Sequence, residues 1–214
     1  MRDRSIPEAT VGRLPRYLQA LGGMAAQGTV MASSEELALA AGVTSAKVRK
    51  DLSHLGSYGT RGVGYDVAYL IHQIRRELGL TQDWGIAIAG IGNLGHALAN
   101  YKGFADRGFR VAGLVDVDPA KIGRTSRTGI PVLPYSDVKR IVAEHRVEIG
   151  IIAVTADSAQ DVYETFVAAG LNAILNFAPV QLRTHGHVKL KSVDLRINLE
   201  LLSFFLKGIE DGTA

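Results

Sequence analysis

The stretch from Trp84 to Ala99 constrains the fold most: a short apolar run, a G-x-G-x-x-G turn at Gly90, Gly92 and Gly95, and a helix start. A strand that passes so abruptly into a helix opens a βαβ unit, and such units build parallel sheets covered by helices. Gly90 permits the tight turn, Gly92 lets the backbone approach a pyrophosphate, and Gly95 lets the helix lie close on the strand. Ile91, Asn93 and Leu94 complete the loop. A second strand, Arg110 to Val115, ends at Asp116, about twenty residues past the last glycine, where a carboxylate reaches an adenosine ribose. Val117 follows it. Asp118-Pro119 has a sufficient role as a helix start, with Asp118 as cap and Pro119 in the first turn, so Asp116 is preferred for the ribose. These residues indicate a dinucleotide site for NAD(H) rather than NADP, with Lys121 and Arg124 near enough in sequence to meet a 2′-phosphate. A structural turn and a coenzyme A site are the alternatives.

The alternation of strands and helices continues. Leu94 to Ala105 reads as a helix, as do Val138 to Arg146 and Asp157 to Ala169, the last ended by Gly170. Ile149 to Val154 is continuously apolar, as in a strand buried on both faces of a parallel sheet. Asn172 to Phe177 is a further strand. Val188 to Val193 alternates apolar and charged residues, which suits an edge. The expected fold class is α/β with a Rossmann doubly wound parallel sheet and its ligand over the strand C-termini. Thr155, Asn176, Phe177 and Ala178 then line the nicotinamide side. From Asp194 to Gly208 the pattern changes. Leu195, Ile197, Leu199, Leu201, Leu202, Phe204, Phe205 and Leu206, with Ile209 beyond, cover nearly the whole circumference of a helix, which then needs burial on all sides. A partner subunit in a two-fold dimer, by exchange or burial of this helix, supplies that cover; packing on the chain's own sheet is the other possibility.

The N-terminal third has a different pattern. Met1 to Glu8 reads as a charged, mobile arm. Val11, Leu14, Tyr17, Leu18, Leu21 and Met24 recur at helical spacing, Pro15 fits only in a first turn or at a kink, and Gly28 ends the run. Ser33 and Glu36 match a capping box before a helix from Glu35 to Ala41. Gly42 closes it. Thr44 caps a third helix, Ser45 to Leu55, whose Val48, Leu52 and Leu55 face inward. This is a helix-turn-helix pattern. Ser45, Lys47, Arg49, Lys50 and Ser53 lie away from the apolar side, where such residues reach phosphates and base edges in a major groove. The run Gly56-Ser-Tyr-Gly-Thr-Arg-Gly-Val-Gly-Tyr65 reads as a β-hairpin wing, with Tyr58 on it and Arg61 at the tip to enter a minor groove. Val67 to Leu78 is another helix, and Gly79 to Asp83 a linker. The expected domains are a winged-helix domain over 1–80, a Rossmann domain over 81–193 and a dimerisation helix and tail over 194–214.

At 214 residues and 47% hydrophobic the chain can bury a real core, and with no cysteine it has neither disulfides nor thiolate chemistry. The net charge of +3 permits an anionic partner without requiring one. No apolar run approaches the roughly 18 residues of a membrane span, and no signal-peptide core is present, so a cytoplasmic protein without a membrane partner is expected. A dehydrogenase needs a substrate domain bearing an acid or base, and the residues outside the Rossmann unit are occupied by the helix-turn-helix. His96, His185 and His187 lie at a glycine turn, in a polar loop and at a strand start, and no Tyr-x-x-x-Lys pair stands near the ligand edge. Ligand binding coupled to DNA binding, not catalysis, is the expectation, with an NAD-dependent oxidoreductase or a coenzyme A-binding regulator as alternatives.

With Val48-Arg-Lys-Asp51, the wing run, Gly90-Ile-Gly-Asn-Leu-Gly95 and Ile174-Leu-Asn-Phe-Ala-Pro179, nearly the whole chain resembles the Rex family, bacterial redox-sensing transcriptional repressors. The resemblance implies a homodimer that binds an inverted-repeat operator in double-stranded DNA when NADH is low and leaves it when NADH occupies the Rossmann site. It implies DNA contacts from Arg49, Lys50 and Arg61. It also implies a conformational relay through Tyr101, on the first Rossmann helix, and Asp194. Two residues after the first-helix tyrosine the family has an arginine that pairs with the relay aspartate across the dimer; here that position is Gln19. Arg16, three residues earlier on the same helical face, is the expected substitute. The loop at Thr155-Ala156 lacks the proline the family places there.

Overall fold

The computed structural model describes residues 6–56, 59–60 and 63–210, with only the backbone of Thr60 and of 208–210. It divides into two compact units, Met1–Gln82 and Asp83–Ala214.

In the first unit α1 (Glu8–Val11) and α2 (Leu14–Ala26) precede a two-residue strand, β1 (Met31–Ala32). The expected single helix is therefore split at Gly12-Arg13, and Pro15 takes the first turn of α2, where its missing N–H has no partner to lose. Pro7 precedes α1 and Glu8 lies within it, so the arm is shorter than expected; Met1–Ser5 lie outside the described residues. Next come α3 (Ser34–Ala41) and α4 (Ser45–Leu55). Ser33 and Glu36 form the reciprocal capping box, and Gly42 stands in the left-handed region at φ 66° to turn the chain between the two helices. The wing follows as β2 (Gly59–Thr60) and β3 (Gly64–Asp66), antiparallel, with β1 on the other side of β3. Tyr58 and Arg61 lie outside the described residues. The helix α5 (Val67–Glu77) closes the unit, capped by Asp66. Leu14, Tyr17, Leu21, Leu37, Val48, Leu52, Leu70 and Ile74 are buried together as its core.

The second unit is built on six parallel strands. They are β4 (Trp84–Ala89), β5 (Phe109–Asp116), β6 (Val132–Pro134), β7 (Val147–Ile152), β8 (Ala173–Asn176) and β9 (Lys189–Ser192), in the order β6-β5-β4-β7-β8-β9. Chain order reverses between β4 and β7, which is the doubly wound arrangement and opens a crevice at that point. The helices α6 (Asn93–Ala99), α7 (Val138–Glu144) and α8 (Ala156–Ala168) accompany it, and β9 takes the edge. Apolar clusters lie on both faces: Ile141, Val162, Tyr163 and Phe166 belong to one and Ile86, Ile88, Leu114 and Ile151 to the other.

Three local expectations are corrected. The helix after the glycine turn stops at Ala99 instead of Ala105: Asn100 closes it by donating its side-chain amide to His96 O at 2.6 Å, and a 3-10 turn follows at Ala105–Arg107. Tyr101 therefore lies beyond the helix rather than on it. Asp118-Pro119 starts no helix; Asp118 caps a single turn through Ala120 N (2.9 Å), and Gly123 at φ 84° ends it. The helix from Val138 ends at Glu144, and Arg146 adopts a positive φ of 50°.

The final helix, α9 (Leu195–Glu210), finds no cover among the described residues of its own chain. Leu201 is 53% exposed and Phe204 71%, with Leu195, Ile197, Leu199, Leu202, Phe205 and Leu206 between these limits. Packing on the chain's own sheet is thereby ruled out. Among the described residues no helix is long and apolar enough to cross a membrane.

Candidate functional site

In the first unit α4 carries its polar residues outward while its inner face locks onto α1 and α2. Lys47, Arg49, Lys50 and Ser53 are exposed and Ser45 half-buried. Thr44 accepts from Lys47 N at 3.3 Å, which fixes where the helix begins. Ser53 donates its hydroxyl to Lys50 O (2.7 Å), which leaves its oxygen able to accept. Arg49 Nη1 donates to Ser34 Oγ (2.9 Å) and Glu35 Oε1 (3.0 Å) on α3.

Inside, Asp51 is 1% exposed and accepts from Thr10 Oγ1, Arg13 Nε and Nη2, and Tyr17 Oη at 2.6–2.9 Å. Burial alone pushes its carboxyl up, but Arg13, Tyr17 and Thr10 outweigh that and hold it down at about 2. Burial, with the bond to Asp51, pushes the Tyr17 hydroxyl up to about 12. Sequence reading missed this knot. Its signal was present: Asp51 lies in the Val48, Leu52, Leu55 stripe, and a carboxylate on an apolar stripe needs a buried partner.

In the second unit the C-terminal ends of β4, β5, β7 and β8 lie in register, Ala89 beside Val115 and Ile152, and Ile152 beside Asn176. That row brings together the glycine loop, Asp116, Val117, Thr155 and the Asn176–Ala178 turn. Gly90 has φ 91°, and a Cβ there would meet Ala153 O at 2.6 Å; a Cβ at Gly95 would collide with Gly90 O. At Gly92 a Cβ would meet nothing within 4 Å. The first two glycines are thus demanded by the fold, whereas Gly92 borders open space.

Asp116 anchors the loop. Its Oδ2 accepts from Ile91 N (2.6 Å) and Lys121 Nζ (3.1 Å), and its Oδ1 from Asp118 N (2.9 Å). Burial raises its carboxyl, but those donors hold it below the ordinary carboxylate value. Beside the loop lies a cleft of about 400 Å³ lined by Ile91, Gly92, Asn93, His96, Lys121, Arg124 and Ser126 among others. That volume suits part of a nucleotide. Leu94 and Val117 are exposed.

On the far side Thr155 is exposed and precedes α8 without a side-chain cap bond. Asn176 is fully buried, its Nδ2 donating to Ala178 O and Val180 O and its Oδ1 accepting from Ala178 N (2.9 Å). It shapes the Phe177-Ala178 turn and presents no free group. Tyr101 is 59% exposed with its ring edge-on to Phe104. Asp194 is held by Arg196, whose Nη2 reaches its Oδ2 at 2.8 Å and whose N–H and Nε reach its Oδ1. Arg196, unforeseen from sequence, is its partner within the chain. Among the described residues no hydrogen bond joins Tyr101 to Asp194. Arg16 and Gln19 line one groove on α2, as their spacing implied.

Comparison with known proteins bears on both units. Residues 81–180 match a family model described as "CoA binding domain", and residues 5–53 one described as "Putative DNA-binding protein N-terminus". A protein of Streptomyces griseus named redox-sensing transcriptional repressor Rex is 59% identical over 215 residues, covering 100% of this chain and 85% of its own. A protein of the same name from Pelotomaculum thermopropionicum is 49% identical over 206 residues, covering 96% of each. The crystal structure of RSP in complex with β-NAD⁺ and operator DNA matches with a TM-score of 0.90 at 34% identity, over 96% of this chain and 94% of that one. RSP with β-NADH gives 0.87 at the same identity, over 96% of each.

Proposed function

The chain belongs to the Rex family of redox-sensing transcriptional repressors, and from that premise we propose which of its residues carry the function and how. It is a repressor, not an enzyme. Operator DNA is gripped by α4 through Ser45, Lys47, Arg49, Lys50 and Ser53, and by the wing through Tyr58 and Arg61. NAD(H) lies over the strand C-termini, with its pyrophosphate against the backbone of Gly92 and its adenosine toward Asp116, Val117 and Lys121. Its nicotinamide lies toward Thr155, Phe177 and Ala178. The observation that supports this placement is the open space at Gly92 beside glycines that the fold itself requires.

The working unit is a homodimer in the cytoplasm, with a second copy covering the exposed apolar surface of α9. A dimer on DNA needs its recognition helices about one helical turn apart, roughly 34 Å or a multiple, so a small rotation at the dimer interface suffices to lose the operator. The reduced nicotinamide ring is neutral and puckered where the oxidised ring is cationic and planar, and the site shifts the dimer only by its differential affinity for the two states. Tyr101, Asp194 and Arg16 form the relay. Arg196 holds Asp194 within the chain, so a relay through Asp194 works against or alongside that pair.

Calorimetric titration of NADH, NAD⁺, NADPH and coenzyme A into the protein and into Gly92→Val tests the assignment. NADH is expected to bind the native chain and to lose at least a hundredfold in Gly92→Val while the variant still melts as a folded protein. Tight binding of coenzyme A with none of NADH would replace the ligand, and unaltered NADH binding in the variant would remove the pyrophosphate from Gly92.

A further inference from the structure

The contact between α3 and α4 at Arg49 is a closed ring of three side chains. Arg49 Nη1 donates to Ser34 Oγ at 2.9 Å and to Glu35 Oε1 at 3.0 Å, and Ser34 Oγ donates in turn to Glu35 Oε2 at 3.1 Å. Ser34 is buried, so this corner is anchored to the core of the unit, while Arg49 and Glu35 stand 54% and 67% exposed. Among the described residues only one nitrogen of the guanidinium, Nη1, is held. Nε and Nη2 meet no partner among them, and two parallel N–H donors are what the O6/N7 edge of guanine accepts.

Resting on the reading of Arg49 as a DNA contact, we propose that Ser34 and Glu35 aim its guanidinium at a base edge, which makes Glu35 a specificity-determining positioning residue. Two physical effects act together. An arginine side chain loses about 2 kcal/mol of rotamer entropy on ordering, and holding one nitrogen beforehand removes part of that loss for the correct base. An untethered arginine grips any phosphate, whereas a carboxylate at the same corner repels the backbone when the protein sits out of register. In water the exposed ion pair contributes little to folding, so its consequence falls on recognition. Sequence reading could not find it, because Glu35 reads as an ordinary acidic residue in a helix first turn.

The test is fluorescence anisotropy of the full chain, Glu35→Gln and Arg49→Ala on an operator duplex and a scrambled duplex of equal length, across a salt series. Glu35→Gln is expected to lower the ratio of operator to scrambled affinity about tenfold, a fraction of one bidentate contact. Its binding to scrambled DNA should tighten and its log–log salt slope steepen by about one unit, as Arg49 turns to a phosphate. A merely structural residue would not steepen that slope. If Arg49→Ala lowers the ratio while Glu35→Gln leaves ratio and slope unaltered, the proposal is overturned. If the native chain does not distinguish the duplexes, or Arg49→Ala changes nothing, the reading beneath it fails and takes the proposal with it.

Discussion

Asp116 and Asp51 are both buried carboxylates whose donors hold them ionised, yet they act differently. Asp116 takes the Ile91 and Asp118 N–H groups and Lys121, so it keeps the glycine loop at the end of β5. Asp116→Asn replaces one acceptor oxygen by a donor facing a donor. At about 2 kcal/mol for a charge-assisted hydrogen bond, NADH affinity should fall about thirtyfold, read by calorimetry; an unchanged affinity would show that the loop holds without it. Asp116 was singled out in the sequence for the adenosine ribose by its distance past the glycines. Its grip on Ile91 was not, since that contact bridges 25 residues and depends on two strands being neighbours. Lys121 was noted for a possible 2′-phosphate, whereas the structure gives it a carboxylate partner on each side, Asp116 at 3.1 Å and Asp118 at 3.8 Å.

At the scale of elements, Asp51 ties α4 to α1 and α2 beside the apolar stripe of Val48, Leu52 and Leu55. Its folded-state pKa of about 2 lies below the ordinary 3.8, so the stability it supplies is complete above about pH 4 and is lost as pH falls toward 2. Tyr17 works in the opposite sense. Raised from 10.0 to about 12, it favours the folded state below pH 10 and loses that contribution as pH climbs through 12. Melting the Asp51→Asn variant at neutral pH should show a loss of about 2 to 3 kcal/mol, at the low end for a broken buried pair because Arg13 keeps 28% of its side chain in water. Its stability should also be flatter with pH below 4. The capping box at Ser33 and the cap at Thr44 were legible because their chemistry spans three residues. The length of α6 and the single turn at Asp118 were not, because Asn100 and Gly123 end them through local geometry that helical periodicity does not register. A second prediction concerns α9. Leu202→Glu puts a charge into the surface we assign to a second copy; sedimentation should show the native chain dimeric and the variant monomeric at the same concentration, and an intact dimer would place the interface elsewhere.

For the whole molecule, repression and its release must be one equilibrium read at two sites. Arg16→Ala should weaken operator binding severalfold and leave NADH bound at least as tightly, since losing a contact that favours the DNA-competent state tips the same equilibrium toward the NADH-bound one; unaltered DNA affinity would return the relay to other residues. The proposed relay is the part least legible in the sequence, because a pairing across two copies would leave no periodicity or spacing within one. The most direct test of the account is the anisotropy of a labelled operator duplex carrying an inverted repeat, titrated with protein at fixed salt, first alone and then with saturating NADH or NAD⁺. With a coupling of about 1 to 3 kcal/mol, NADH should weaken operator binding roughly 5- to 150-fold and NAD⁺ should leave it nearly unchanged. Equal operator affinity with both cofactors, under conditions where calorimetry shows NADH bound, would contradict it.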